Sequence, residues 1–145
     1  MFTIDASVWV NAYSPAEPGQ PISLARLDAL FVRATRIVVP TLLAVEFAGA
    51  IARTRANSGL AQRLATGLFA LPTLSWIPLD DLLARRATDL AAQRLLRGAD
   101  AVYAAVALLH GCDLISLDQE HLTRLTSVVR TFTPSEAMAM LSATP

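Results

Sequence analysis

The sequence predicts an α/β domain, a three-layer α/β/α arrangement around a central, mainly parallel sheet of four to five strands. Short runs rich in Ile, Val and Leu alternate with longer stretches whose apolar residues recur at helical spacing. Proline, glycine and asparagine clusters punctuate the two kinds of segment. Acidic residues follow directly on two of the short runs, Asp5 after Phe2-Thr-Ile4 and Asp118 after Leu114-Ile-Ser116. Open parallel sheets present their ligand sites at those strand ends.

In chain order, Phe2-Thr-Ile4 reads as a short buried strand, and Asp5-Ala-Ser7 opens a helix through Val8, Trp9, Ala12 and Tyr13. Ser14-Pro-Ala-Glu-Pro-Gly-Gln-Pro21 is a loop by composition. Ser23 is expected to begin a second helix, with Leu24, Leu27, Leu30 and Phe31 at helical spacing. Ile37-Val-Val39 is the next strand. Pro40 and Thr41 suit a helix start, and helices are expected from Leu42 to about Arg55 and, past Asn57-Ser-Gly59, from Leu60 to Leu71. Leu74-Ser-Trp-Ile77 is a third strand. Pro78 to Asp81 opens a leucine-bearing helix that ends near Gly98, and Ala101 to Leu109 forms an almost wholly apolar one closed by His110 and Gly111. Val128-Val-Arg130 is expected to be the last strand after Leu114-Ile-Ser116.

At 145 residues the chain can bury a core without disulfides or a structural metal, and one domain over residues 1–145 is expected. The hydrophobic share is 54% and the mean hydropathy +0.46, yet the longest apolar run, Ala101 to Leu109, is too short for a bilayer. The excess implies a large core plus a buried partner surface. Met1-Phe-Thr-Ile-Asp5 has no basic region of the kind that opens a signal peptide, so a cytoplasmic location is expected. The lone Cys112 cannot pair within the chain and is assigned to the core. The net charge is zero, so any nucleic-acid contact must be local. Every basic residue is Arg, which excludes lysine chemistry.

Asp5, Glu46, Asp100 and Asp118 each border or interrupt an apolar segment. Asp5, Asp100 and Asp118 have an ordinary explanation as helix caps or dipole partners. Glu46 does not, because Leu43, Glu46, Phe47 and Ala50 share one helical face, and a carboxylate on the core-facing side needs a partner. As a group, the four suit Mg²⁺ or Mn²⁺, which prefer hard oxygen ligands. Such ions activate water near neutral pH and offset charge building on a phosphate.

Taken in order, Ile4-Asp5-Ala-Ser7, Val45-Glu46, Arg97-Gly-Ala-Asp100-Ala and Ile115-Ser-Leu-Asp118 resemble the motifs of the PIN domain family, and most closely the toxin ribonucleases of VapBC-type toxin–antitoxin pairs. The resemblance runs almost end to end. It implies an endoribonuclease dependent on one or two Mg²⁺ or Mn²⁺ ions, with Asp5, Glu46, Asp100 and Asp118 as catalytic and metal-binding acids. Ser7 matches the hydroxyl residue beside the first acid and Ser116 the Thr or Ser before the last, both supporting the site by hydrogen bonds. The segment after Asp118 departs from the family, which has an aromatic or leucine there; Leu122 stands nearest to that position. The resemblance also implies a homodimer, an RNA substrate, and an antitoxin whose C-terminal segment lies in an apolar groove. Trp9, Tyr13 and the leucines of Leu24 to Leu30 are candidates for lining that groove, against ordinary core packing.

Arg97, three residues before Asp100, is placed to reach a phosphate bidentately, with a surface or helix-end charge as the plainer account. Asp80 and Asp81 are read as helix-start acids, and Asp113 as a turn residue. His110 and His121 lack a zinc-type partner spacing and are read as helix-end or surface residues. A phosphoacceptor domain would also use an aspartate after the first strand, but those families rely on a lysine absent here. The remaining alternative is a catalytically silent protein- or RNA-binding module whose acids act as caps.

Overall fold

The computed structural model describes residues 1–15, 18–32 and 36–142. Ala16 and Glu17 of the expected loop, and the side chain of Phe31 on the expected second helix, lie outside the described residues. Five strands, β1 (Phe2–Ile4), β2 (Ile37–Pro40), β3 (Leu74–Ile77), β4 (Asp113–Ile115) and β5 (Thr131–Phe132), form one sheet in the order β3-β2-β1-β4-β5. Every pairing is parallel. The helices among the described residues are α1 (Ala6–Ala12), α2 (Gln20–Val32), α3 (Leu42–Arg55), α4 (Ser58–Phe69), α5 (Asp81–Arg94), α6 (Gly98–Leu109), α7 (Gln119–Arg124) and α8 (Pro134–Ser142). The result is the expected three-layer α/β/α fold.

The chain builds outward from β1 through β2 to β3, then crosses to the other side of β1 for β4 and β5. Neighbouring loops therefore diverge at the carboxyl ends of β1 and β4, the place where open parallel sheets hold ligands. The register pairs Ile4 with Ile115, so Asp5 and Ser116 leave the sheet side by side. The backbone N–H of Asp5 donates to the Ile115 carbonyl at 3.0 Å, which extends the ladder by one bond.

The core runs through the sheet and α6. Ile4, Ile37, Val38, Val39, Leu114 and Ile115 are buried strand residues, and Ala101, Tyr103, Ala104, Ala105, Val106 and Ala107 are buried on α6. Helix α6 packs across β1, β2 and β4, with α5 and α7 against it. Its run of alanines allows that close approach. Helix α1 packs on α2 and α3, while α3 meets α4 and α2 meets α8. Arg26 ties α2 to α8: its fully buried guanidinium donates from Nη1 to the Ala137 carbonyl at 3.0 Å and lies over the Phe2 ring. Among the described residues no helix is long and apolar enough to cross a membrane.

Several expected boundaries move. Helix α2 begins at Gln20 rather than Ser23, because the Gly19 carbonyl already accepts from the Ile22 and Ser23 N–H groups. Helix α4 begins at Ser58 under an Asn57 cap, whose side chain accepts from the Leu60 N–H at 2.8 Å, and ends at Phe69 rather than Leu71. Helix α5 stops at Arg94, with Leu95 in the left-handed conformation at φ 54°, so α6 starts at Gly98 instead of Ala101. The last strand is Thr131–Phe132, not Val128–Arg130. The Val128 and Val129 N–H groups are spent on the Leu125 carbonyl in a turn, and ladder pairing starts with Leu114 opposite Thr131.

The aromatic and leucine residues proposed to line a groove are mostly core. Trp9, Leu27 and Leu30 are buried, whereas Leu24 and Tyr13 are exposed, the Tyr13 and Phe47 rings meeting in a T-shaped pair. A groove lies instead between α1 and α3. It has a volume of about 750 Å³ and is lined by Val10, Val45, Gly49, Ala50, Arg53 and Leu117 among others.

Candidate functional site

Asp5 is the N-cap of α1 and is almost fully buried. Its Oδ2 accepts from the Ser7 N–H at 3.1 Å, from the Ser7 hydroxyl, and from the Ser116 hydroxyl at 3.3 Å. The cap thus accounts for one oxygen; none of these three bonds uses Oδ1. The Ser7 Oγ in turn accepts from the Leu117 N–H at 3.1 Å, so it stitches α1 to the segment following β4. Both serines assigned a supporting part therefore bond to the first acid.

Glu46 stands on α3, and its partner is the Tyr103 hydroxyl of α6, which donates to Oε2 at 2.7 Å. The bond answers the burial problem posed by a carboxylate on that helix face. Burial raises the Glu46 carboxyl above the usual range; the Tyr103 bond opposes the rise, and the Asp5 and Asp100 charges add to it. The Tyr103 phenol is held well above its ordinary value, first by burial and then by the Glu46 and Asp5 charges. It stays protonated and acts as a donor.

Asp100 lies in the first turn of α6, with Arg97 occupying the cap position, so its helix-dipole explanation holds and its cap explanation does not. Arg97 Nε donates to Asp100 Oδ2 at 2.8 Å, and Nη2 pairs with Asp118 Oδ2. Burial raises the Asp100 carboxyl, with the Arg97 bond pulling it back. Asp118 is the N-cap of α7, its Oδ1 accepting from the Glu120 N–H at 2.7 Å. Caps and dipole contacts thus coexist with convergence: Asp5, Ser7, Glu46, Arg97, Asp100 and Asp118 line one depression of about 230 Å³. It opens beside the larger groove, which shares Ala6, Ser7 and Glu46.

His121 corrects the expectation of a surface or helix-end histidine. It is fully buried, one ring nitrogen 2.9 Å from the Ser116 hydroxyl and the other 2.9 Å from the Asp100 carbonyl. A carbonyl only accepts, so Nε2 carries a proton and donates to it, and Nδ1 faces the serine. The ring joins the backbone of α6 at Asp100 to the turn that carries Asp118, whose N–H donates to the same Ser116 Oγ at 2.9 Å. Within its polar surroundings, Gln-Glu-His-Leu, the only sequence sign of this role is the position five residues after Ser116. Of the other discounted residues, Asp113 opens β4 rather than lying in the turn before it, and Asp80 is a cap rather than a first-turn acid. Asp80 caps α5 and Asp81 lies in its first turn, Asp113 pairs with Arg130, and Cys112 is buried.

Ligand atoms of Asp5, Asp100 and His121 lie within 4.8 Å of one another. Both nitrogens of His121 are already committed, however, so the donor set facing the depression is oxygen only. Carboxylates that are buried, as at Asp100, or partly so, as at Glu46, with raised proton affinity and a single guanidinium among them, are short of positive charge. That chemistry fits a hard divalent cation and not a soft one.

The PIN domain family model matches residues 2–126, a span that contains all four acids. No curated protein is matched. Among solved structures, a toxin–antitoxin complex from Klebsiella pneumoniae superposes with a TM-score of 0.68 at 19% identity, over 92% of this chain and 98% of that one. VapC20 of Mycobacterium tuberculosis, a sarcin-ricin loop cleaving toxin, gives 0.67 at 14% identity, over 82% and 91%. VapBC2 of Rickettsia felis, bound to a DNA fragment from its promoter, gives 0.66 at 12%, over 91% and 97%. At these identities the likeness to solved structures is one of fold. With the family pattern spanning most of its length, the chain belongs to the PIN domain family.

Proposed function

We propose that this protein is a metal-dependent endoribonuclease that hydrolyses RNA phosphodiester bonds, acting in the cytoplasm as the toxin of a type II toxin–antitoxin pair. The observation that carries this reading is the convergence of Asp5, Glu46, Asp100 and Asp118, from four separate elements, on one depression at the carboxyl ends of β1 and β4. Three of these acids have cap or dipole contacts, but Glu46 has no such use, and nothing in a silent binding module calls for it.

Asp5 and Asp100 would be the main ligands of Mg²⁺ or Mn²⁺, with Glu46 and Asp118 completing the site directly or through water. When bound, such an ion supplies Lewis-acid activation of water and charge compensation at the phosphate. Ser7 and Ser116 fix the Asp5 carboxylate, and Tyr103 fixes Glu46. Arg97 is 65% exposed at the mouth and has N–H groups beyond those paired with the acids, so it can meet a phosphate oxygen of the substrate.

Support for the antitoxin comes from the apolar groove between α1 and α3, which runs into the acidic depression, and from the toxin–antitoxin complexes that share the fold. A helix or extended segment laid in the groove would end beside the acids. A homodimer is part of the same reading.

The test is cleavage of a mixed structured-RNA pool by the partner-free protein with Mn²⁺ or with EDTA, with Asp100→Asn as the control for contaminating ribonuclease. Discrete cleavage is expected from wild type in Mn²⁺ alone. Asp5→Asn should keep the circular dichroism spectrum and lose cleavage by at least about a hundredfold; full activity in that variant would remove Asp5 from the site. Absence of both cleavage and Mn²⁺ binding in wild type would favour the silent module.

A further inference from the structure

The four acids divide by the chemistry of their partners. Asp5 and Glu46 are held by hydroxyls, those of Ser7, Ser116 and Tyr103, and none of these brings a charge. Asp100 and Asp118 instead share the guanidinium of Arg97, which bridges Oδ2 of one to Oδ2 of the other. Of the ion pairs at this site, Arg97 makes those to the acids lining the depression; Arg124 is paired with Glu120 outside it.

We propose that Arg97 takes the part of a second cation, so that the site binds a single divalent ion. The inference rests on the metal-dependent reading above and deepens it by fixing the ion count. In two-metal sites a second ion bridges carboxylates and neutralises the charge on one side of the phosphate. Here a planar guanidinium already bridges two of the four carboxylates, in the fork geometry that suits it to oxygen pairs.

Arg97 reaches that position by construction. It is the N-cap of α6, with φ −65° and ψ 152°, three residues before Asp100. Its own backbone N–H lies 3.4 Å from the Glu120 carboxylate on α7, which anchors the residue between the two helix starts. A guanidinium keeps its charge across the working pH range, so it cannot leave by deprotonation. A second ion would have to break both pairs and sit beside a fixed positive charge. One ion, in contrast, finds Asp5 and Glu46 without a cation and Asp100 shared with one. The same guanidinium remains beside the phosphate and supplies the charge compensation that a second ion gives elsewhere.

The experiment is Mn²⁺ stoichiometry on the full chain, read from the free-ion signal in electron paramagnetic resonance, for wild type, Arg97→Gln and Arg97→Lys. Wild type is expected to bind one Mn²⁺ per chain. Arg97→Gln, which keeps hydrogen-bonding capacity and removes the charge, should take up a second, weaker ion while its RNA cleavage falls. Arg97→Lys, which keeps the charge, should stay at one even if the glutamine variant fails to fold. Two ions in wild type, two in the lysine variant, or one ion at unchanged affinity in a folded glutamine variant would each overturn the proposal. No Mn²⁺ bound by wild type would instead bring down the metal-dependent reading itself, and this inference with it.

Discussion

Glu46 shows how one residue's environment sets a measurable pH dependence. Burial raises its carboxyl, so the folded chain holds this proton at a pH where the unfolded chain has released it. The group's contribution is therefore full below the unfolded value and is lost as pH rises through the folded one. Glu46→Gln keeps an acceptor for Tyr103 and removes the charge. In EDTA its urea midpoint should exceed that of wild type at neutral pH, and the gap should close as the buffer is acidified. Saturating Mn²⁺ should reverse the order by stabilising wild type alone. Tyr103→Phe is expected to act the other way, costing about 1.5–3 kcal/mol in EDTA at neutral pH through loss of a hydrogen bond to a charged acceptor. A glutamine variant no more stable than wild type across the pH range would mean that Glu46 is not short of charge compensation. That Glu46 needed a partner was legible from the helix face it shares with Leu43 and Phe47. The identity of the partner, 57 residues away, was not. His121 was illegible for the same reason: its two bonds exist only once α6 and the turn after β4 meet.

Elements were legible where backbone chemistry announces itself and less so at their ends. The alternation of short strands and helices, and the caps at Asp5 and Asp118, follow from local pattern and appear in the structure. The misses are competitions that local pattern cannot decide, such as Val128 and Val129, two good strand residues whose N–H groups a turn claims first. Leu95 is another: the end of α5 expected near Gly98 comes earlier because a leucine adopts the left-handed conformation that glycine favours. That choice has a cost. A side chain in that region costs roughly 1–2 kcal/mol, partly offset by the greater entropy that glycine loses on folding. Leu95 is 75% exposed, so Leu95→Gly sacrifices little burial. The variant is expected to be more stable by up to about 1 kcal/mol in urea unfolding. A loss of stability would mean that the entropy glycine loses on folding outweighs the relief of the left-handed conformation.

At the scale of the whole molecule, the strand order β3-β2-β1-β4-β5 converts scattered acids into a cluster; the need for it and the strand-end places of Asp5 and Asp118 were legible beforehand, the strand order was not. Charge is distributed on the same plan. The chain is neutral overall, and the acidic depression would repel a polyanion were it not for Arg97 at its mouth and Arg53 lining the adjoining groove. On the proposed function, binding of RNA would rest on few phosphate contacts, and each contact to a single strand contributes a slope of about −0.7 to the logarithm of affinity against that of salt. Two such arginines predict that kcat/KM for RNA cleavage, at fixed Mn²⁺, falls roughly sevenfold between 50 and 200 mM monovalent salt. A protein that tracked a long stretch of backbone would lose several hundredfold or more over the same range. The measurement is a salt series on wild type and Arg53→Gln, whose line should be shallower by about one contact. A steep wild-type line would mean that further arginines, beyond those lining the two cavities, hold the RNA, and that recognition extends well outside the acidic site. A shallow one would leave target choice to RNA shape and to the bases that reach the depression.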